Sequence, residues 1–271
     1  TRFNEQGICS PCEWSYEKDN IIDWEKREKE LAELCDKFRS SNGSFDVVVP
    51  GSGGKDSAYV AHQLKYVYGM NPLCVTWSPF EFTNIGFKNL NNFIASGFNN
   101  ILGQPDGKLH RIMTKLAFEM KGDAWEPFTY GQKAWAFHIA TRFNIKLIMY
   151  GENGELEYGG SEKYKYLPKE GPEEWEYEYF KGANIDDLLD VGLERNYFDY
   201  DKNIKNKIDF YKAPSVDSII KSESEMHWYS YYKKWVPQEN FYYASKYCGF
   251  DVNPSGRSEG TYTKHVSLDD K

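Results

Sequence analysis

The sequence predicts an α/β protein, a mostly parallel sheet with helices on both faces. Three observations carry that prediction. Between positions 45 and 151, short apolar runs alternate with stretches of helical spacing, the pattern of parallel βαβ units. The first apolar run, Val47 to Val49, enters a glycine-rich turn, and a helical stretch leaves it. A second glycine turn, at Gly151, ends another apolar run. Both turns therefore fall at carboxyl ends of strands, where parallel sheets hold their ligands.

The elements follow in order. Residues 1–16 are short and turn-rich and contain Cys9 and Cys12. Across 20–39, Leu31, Leu34, Cys35 and Phe38 recur at helical spacing among charges, so one face packs and the rest is wet. Residues 40–44 are a break, and 45–51 read as a buried strand. Next come a helix over 57–68, a strand over 72–77 and a helix over 84–96. A short strand at 100–102, helices over 108–121 and 131–143 and a strand over 146–151 complete the alternation. From 163 to 201 the chain is acidic, aromatic and broken by Gly and Pro, as an inserted or appended helical segment would be. A strand over 226–235 and a helix over 237–247 follow, with no internal repeat or low-complexity tract.

Composition narrows the function classes. A chain of 271 residues that is 40% hydrophobic and 17% aromatic can bury a full core and is not a disordered segment. Its 21 tyrosines and 8 tryptophans concentrate from Trp125 onward. Flat rings with polar tips suit a sugar or nucleotide pocket and equally suit ordinary packing. The net charge of −8 shows no basic face and argues against a nucleic-acid partner. With no apolar run of about 18 residues, no membrane span is expected. The absence of a leader pattern and an odd count of five cysteines point to the cytosol. Thr1 and the polar stretch 261–271 read as a chain cut at both ends.

The most informative string is Gly51, Ser52, Gly53, Gly54, Lys55, Asp56, Ser57. Glycines allow positive φ and close backbone approach. The amides opening the next helix point at an anion, with the dipole adding roughly 0.3–1 kcal/mol. Ser52 and Ser57 add hydroxyls, Lys55 a positive charge and Asp56 a carboxylate for Mg²⁺. A mononucleotide loop requires Ser or Thr after the lysine, where this chain has Asp56. A dinucleotide fingerprint requires glycine at that same position. The string S-G-G-x-D-S instead matches the pyrophosphatase loop (PP-loop), which cradles the β,γ-pyrophosphate of ATP while the α-phosphate is attacked. The expected fold is accordingly of the adenine nucleotide alpha hydrolase type.

At the second glycine turn, Gly151 could let a backbone approach ATP, and Glu152 could complete Mg²⁺ binding or orient a substrate. Thr76 and Trp77 end the second predicted strand, on the side expected for adenine. Cys9 and Cys12 have the spacing of a zinc knuckle, but a half-site needs partners, either cysteines before Thr1 or Cys35 or Cys248. A coincidental pair and a redox pair are the other readings, and a redox pair would have to open a helix within a thioredoxin-like βαβ unit, which this position does not. Cys74 lies in a strand and reads as core.

Four strings occur in this order: Phe3 to Cys12, the loop 52–57, Tyr150 to Gly154, and Asn253 to Lys264. Together they resemble the N-acetyl sugar amidotransferase family, which includes the O-antigen and pseudaminic-acid amidotransferases. The resemblance implies conversion of an acetamido group on a sugar of lipopolysaccharide O-antigen or nonulosonic acid into an acetamidino group. ATP would adenylate the amide oxygen, ammonia would displace AMP, and Asp56, Lys55 and Glu152 would carry the catalysis. It further implies a glutaminase subunit and a barrel-type subunit supplying ammonia. The family carries a cysteine pair upstream of the first knuckle and continues beyond position 271. Candidate substrate contacts are Arg257, Glu259, Lys264 and His265, which follow a Pro–Gly turn, with Lys133 on the helix before the 146–151 strand. The expected organisation is a zinc knuckle at 1–19, a PP-loop ATP-binding domain at 20–160, and a substrate-binding and C-terminal segment at 161–271. Rival readings are a tRNA-modifying enzyme of thiolation or lysidine type and a non-catalytic zinc and nucleotide-binding subunit.

Overall fold

The computed structural model describes residues 2–160, 163, 165–169, 171, 185–198 and 203–254. Five parallel strands form one sheet in the order β3-β2-β1-β4-β5. The strands are β1 (Val47–Pro50), β2 (Pro72–Trp77), β3 (Asn99–Gly103), β4 (Leu147–Tyr150) and β5 (Glu225–Trp228). The helices are α1 (Ser10–Asn20), α2 (Trp24–Phe38), α3 (Lys55–Tyr66), α4 (Asn84–Ala95), α5 (Gly107–Lys121) and α6 (Glu126–Phe143). They continue as α7 (Gly154–Glu157), α8 (Ile185–Glu194), α9 (Ile204–Ile208), α10 (Val216–Ser222), α11 (Tyr229–Tyr232) and α12 (Pro237–Cys248).

The predicted fold class is the observed one, and the sheet explains its own sequence. Val47, Val49, Leu147 and Met149 point to one face, against Leu31 and Cys35 of α2, Ala61 and Leu64 of α3, and Ala244 of α12. Val48, Leu73, Val75 and Ile148 point to the other, against Ala136, Phe137 and Ala140 of α6. A strand covered on both faces reads as a continuous apolar run, because its period-2 alternation has no wet side. Asp46 fixes the entry to β1, accepting from the amides of Ser40 and Asn71, both at 2.7 Å.

The chain steps outward from β1 through β2 to β3, then returns to place β4 on the other side of β1. The order thus reverses between β1 and β4, and the crevice at their carboxyl ends is where doubly wound sheets bind ligands. Gly51 and Gly151 flank that crevice.

Four expectations change. The 146–151 strand is followed by another parallel partner, β5, and it lies immediately beside β1. The 226–235 strand stops at Trp228 because Tyr229–Tyr232 makes a helical turn that sinks Tyr229 completely into the core. The turn-rich start becomes α1 from Ser10, with Pro11 in its first turn, where a missing amide hydrogen costs nothing. For the same reason α6 starts at Glu126 with Pro127, ahead of the expected 131. Beyond 160, α8 is helical as expected, and Leu188 and Leu189 join Met113 and Leu116 of α5 in a third cluster. No helix among the described residues is long and apolar enough to cross a membrane.

Candidate active site

The loop after β1 is shaped first by the chain's own crowding. The Gly51 amide donates to Val75 O at 2.8 Å, which continues the β1–β2 ladder by one residue. A side chain at Gly51 would put its Cβ 2.3 Å from Ser57 Cβ. Gly53 has φ +90°, and a Cβ there would lie 2.5 Å from Leu90 Cα and 2.6 Å from Leu90 N of α4. The sequence reading gave these glycines to a ligand's approach. In the structure both already have an internal reason: Ser57 and the α4 backbone occupy the space a methyl would need.

α3 starts at Lys55 behind Gly54, with no side chain capping its amides. Uncapped first-turn amides at the end of a central strand form an anion site. Asp56 sits in that first turn, half-buried. Its Oδ1 accepts from Asn240 Nδ2 of α12 at 3.0 Å, and its Oδ2 pairs with Lys55 Nζ. Ser57 Oγ donates to Gly54 O at 3.1 Å.

Glu152 follows β4 and lies near Asp56. Burial, then the Asp56 charge, push its carboxyl up to about 7, while Lys55 pulls it down. Burial, then the Glu152 charge, raises the Tyr158 hydroxyl. The sign of the linkage is definite. A carboxyl raised from 4.5 contributes stability in full below about pH 4.5 and loses it as pH rises through about 7. Glu152→Gln should therefore flatten the decline of stability between pH 5 and 8, read by urea titration at each pH.

A cavity of about 360 Å³ opens beside the loop. Gly51, Ser52, Gly54, Asp56 and Ser57 line it from the loop, with Tyr150, Gly151, Glu152 and Asn153 from β4 and beyond. Trp77 of β2, Trp228 of β5, and Phe128, Gln132 and Trp135 of α6 close the remaining walls. Two adjacent carboxylates at the mouth of an anion loop suit a divalent cation. Mg²⁺ binds through one or two carboxylates plus substrate phosphates, without an all-protein cage. Asp56 and Glu152 would hold it, and their mutual repulsion in its absence agrees with the raised Glu152.

The expected site residues divide. Ser52, Asp56, Ser57, Gly151 and Glu152 meet at one cavity, joined by Trp77. Trp77 passes close to Gly131 of α6, where a Cβ would lie 2.1 Å from the indole. Thr76 is buried and donates through Oγ1 to Gly51 O at 2.6 Å, while Asn100 Nδ2 donates to the same Oγ1 at 2.9 Å. Its hydroxyl thus ties the loop root to β3. Lys133 is buried within α6, whose neighbouring Gln132 faces the cavity. Arg257, Glu259, Lys264 and His265 lie outside the described residues.

Cys9 is the N-cap of α1, and its sulfur lies 3.2 Å from that of Cys12. The pair opens a helix, but α1 precedes β1 and so does not lie within a βαβ unit, as a redox pair would require. Cys35 and Cys248 are buried in the first core cluster. Cys248 Sγ points to Ala58 O at 3.8 Å, and burial raises the Cys35 thiol to about 12. Among the described residues, no group of three or more metal-ligating side chains assembles. Two thiols do not complete a tetrahedral zinc site, so neither Cys35 nor Cys248 serves as the missing ligand. Trp14 Nε1 and Lys18 Nζ bind Glu157 at 2.8 and 2.6 Å, docking α1 on the short helix that follows Asn153.

Sequence reasoning missed Asn240, Asn153, Tyr158 and Trp228. Only Asn153 carried a signal: an Asn in the turn after a strand and directly before a helical turn is a capping residue. It caps α7, its Oδ1 accepting from the Glu155 amide at 3.1 Å.

Fold and site together define a parallel α/β protein with a helix-opening anion loop beside two carboxylates. No protein-family model matches the chain, and no curated protein sequence does. Among solved structures it is similar to the NH3-dependent NAD synthetase from Campylobacter jejuni subsp. jejuni NCTC 11168 in complex with the nitrate ion. That likeness has 17% identity and a TM-score of 0.37, and covers 75% of this chain and 93% of the synthetase. It is also similar to the U34-tRNA thiolase NcsA from Methanococcus maripaludis with its 4Fe-4S cluster. Here identity is 11% and the TM-score 0.41, over 91% of this chain and 72% of the thiolase. At those scores the likenesses carry no argument about activity.

Proposed function

We propose that the chain is a PP-loop enzyme that splits ATP between its α and β phosphates and uses the AMP to activate a sugar's acetamido group. The supporting observation is the uncapped start of α3 at the topological switch point, with Asp56 and Glu152 beside it. In this reading the α3 amides, Ser52 and Ser57 take the β,γ-phosphates. Lys55 exchanges its Asp56 partner for a phosphate oxygen and offsets charge on the departing pyrophosphate. Asp56 and Glu152 would hold Mg²⁺, which would supply Lewis-acid charge neutralisation.

The acetamido oxygen attacks the α-phosphorus and pyrophosphate leaves. Ammonia then adds to the activated carbon, and the C–O bond breaks to release AMP, leaving an amidine. An amide oxygen is a poor leaving group until it carries a phosphoryl ester, which is why ATP is needed. The nitrogen must shed protons along the way. Those protons pass to solvent, since Glu152 is taken up by the cation in this reading. Ammonia would come from a glutaminase partner with a barrel-type subunit, acting in the cytosol on precursors of O-antigen or pseudaminic-acid type.

No cysteine lines the cavity among the described residues, and the net charge is −8. Both features weigh against tRNA thiolation. The test is mass spectrometry of acetamido sugar nucleotides incubated with protein, ATP, Mg²⁺ and ammonium. The product should be lighter by the difference between O and NH. Tight ATP binding with no lighter product from any acetamido sugar would instead favour a non-catalytic subunit.

A further inference from the structure

We propose that the ends of β4 and β5 form the acceptor subsite, and that this wall takes an uncharged ring bearing hydroxyl and carbonyl oxygens. The inference rests on the amide-activating reading above.

Tyr150 and Trp228 are register partners on adjacent parallel strands, so their side chains leave the same face of the sheet. Their rings lie 5.5 Å apart at 52° and line the cavity together. Among the described residues, Tyr150 Oη, Trp228 Nε1 and Asn153 Nδ2 are all buried with no hydrogen-bond partner. Asn153 cannot be turned to relieve this, because its Oδ1 already accepts from the Glu155 amide. The Asn153 amide itself donates to Ser230 Oγ at 3.0 Å, which holds the residue from the other side.

Buried donors without acceptors are rare in native proteins, and three on one wall require an explanation. A ligand carrying acceptor oxygens supplies one. An indole N–H and an amide NH₂ only donate. Among the described residues no Lys, Arg or His lines the cavity, whose charged walls are Asp56, Glu152 and Glu155. An anionic group is therefore disfavoured on this side, and neutral hydroxyl or amide oxygens are left. Aromatic faces flanked by fixed donors suit a saccharide ring. A fourth orphaned donor among the residues lining the cavity, Trp77 Nε1, belongs to β2 and the side read as the nucleoside's.

The test uses Tyr150→Phe, which removes one oxygen, and Asn153→Asp, which keeps the capping oxygen and removes the donor. Tyr150→Phe should melt at or above the wild-type temperature without ligand, since an unpartnered buried hydroxyl is lost. Its acceptor KM should rise about tenfold with ATP KM unchanged. Asn153→Asp should likewise raise the acceptor KM. Saturation-transfer NMR with N-acetylglucosamine, N-acetylgalactosamine and N-acetylmannosamine, in the presence of Mg²⁺ and an ATP analogue with a methylene bridge between the α and β phosphorus atoms, measures the subsite without turnover. Wild type should bind at least one of them and Tyr150→Phe more weakly. If wild type binds none, or both variants bind and turn over like wild type, the subsite is wrong even where amidination stands. A raised ATP KM or a lowered melting temperature in Tyr150→Phe would also overturn it. If wild type binds sugar through Tyr150 yet releases no AMP, the subsite holds and the activity assignment fails.

Discussion

Gly53→Ala should remove nucleotide binding and destabilise the protein by roughly 2–4 kcal/mol, a combined charge for backbone strain and overpacking. The residue has φ +90°, and the added methyl would stand 2.5 Å from Leu90 Cα and 2.9 Å from Asn89 C. These are backbone atoms of α4, so no rotamer change relieves the clash. Either α4 moves off the sheet or the loop swings away from the start of α3. Both outcomes disturb the packing that holds the loop against α4 in front of the α3 amides. Gly107→Ala is the natural control, since a methyl there meets nothing within 4 Å. Urea titration with and without Mg²⁺ and ATP reads both effects: Gly53→Ala should lose the ligand-induced stabilisation as well as intrinsic stability, and Gly107→Ala neither.

Asp56→Asn should reduce AMP formation by a factor on the order of 10³ while leaving the fold nearly as stable. The charge is what the reaction needs, both as a cation ligand and as the partner of Lys55. The shape is what the fold needs, because Asn240 Nδ2 is held by Asp56 Oδ1 at 3.0 Å and Asn240 is buried. Asn at position 56 retains an acceptor oxygen for that bond. Asp56→Ala is the less informative variant. Truncation orphans the buried Asn240 amide at a cost of about 1–3 kcal/mol. Melting curves should therefore separate the two substitutions, and AMP release should not.

The parts legible in sequence are those whose signal is local. The apolar run of β1, the loop glycines and the apolar stripe of α3 sit within twenty residues, and each constrains the next. β5 was harder. Glu225–Trp228 runs directly into Tyr229–Tyr232, so the aromatic pattern does not stop where the strand does. Thr76 shows a different limit: end-of-strand position marks closeness to the site, but its hydroxyl is committed to Gly51 O rather than to the cavity. Glu152 was visible as a carboxylate after a glycine turn, yet its raised affinity for protons comes first from burial and then from Asp56, almost a hundred positions earlier. Asn240 reaches Asp56 across 184 positions, and no local pattern encodes that meeting. The unpaired donors of Tyr150, Asn153 and Trp228 are invisible in sequence for the same reason, since lacking a partner is a property of packing.

Phosphorus NMR of the turnover mixture bears most directly on the claim that the amides opening α3 grip the far end of the triphosphate. With wild-type protein, Mg²⁺, an acetamido sugar acceptor and ammonium, resonances of AMP and pyrophosphate should grow together in equal amounts. Accumulation of ADP and orthophosphate would place the cut at the outer bond and contradict the assignment of loop and carboxylates alike.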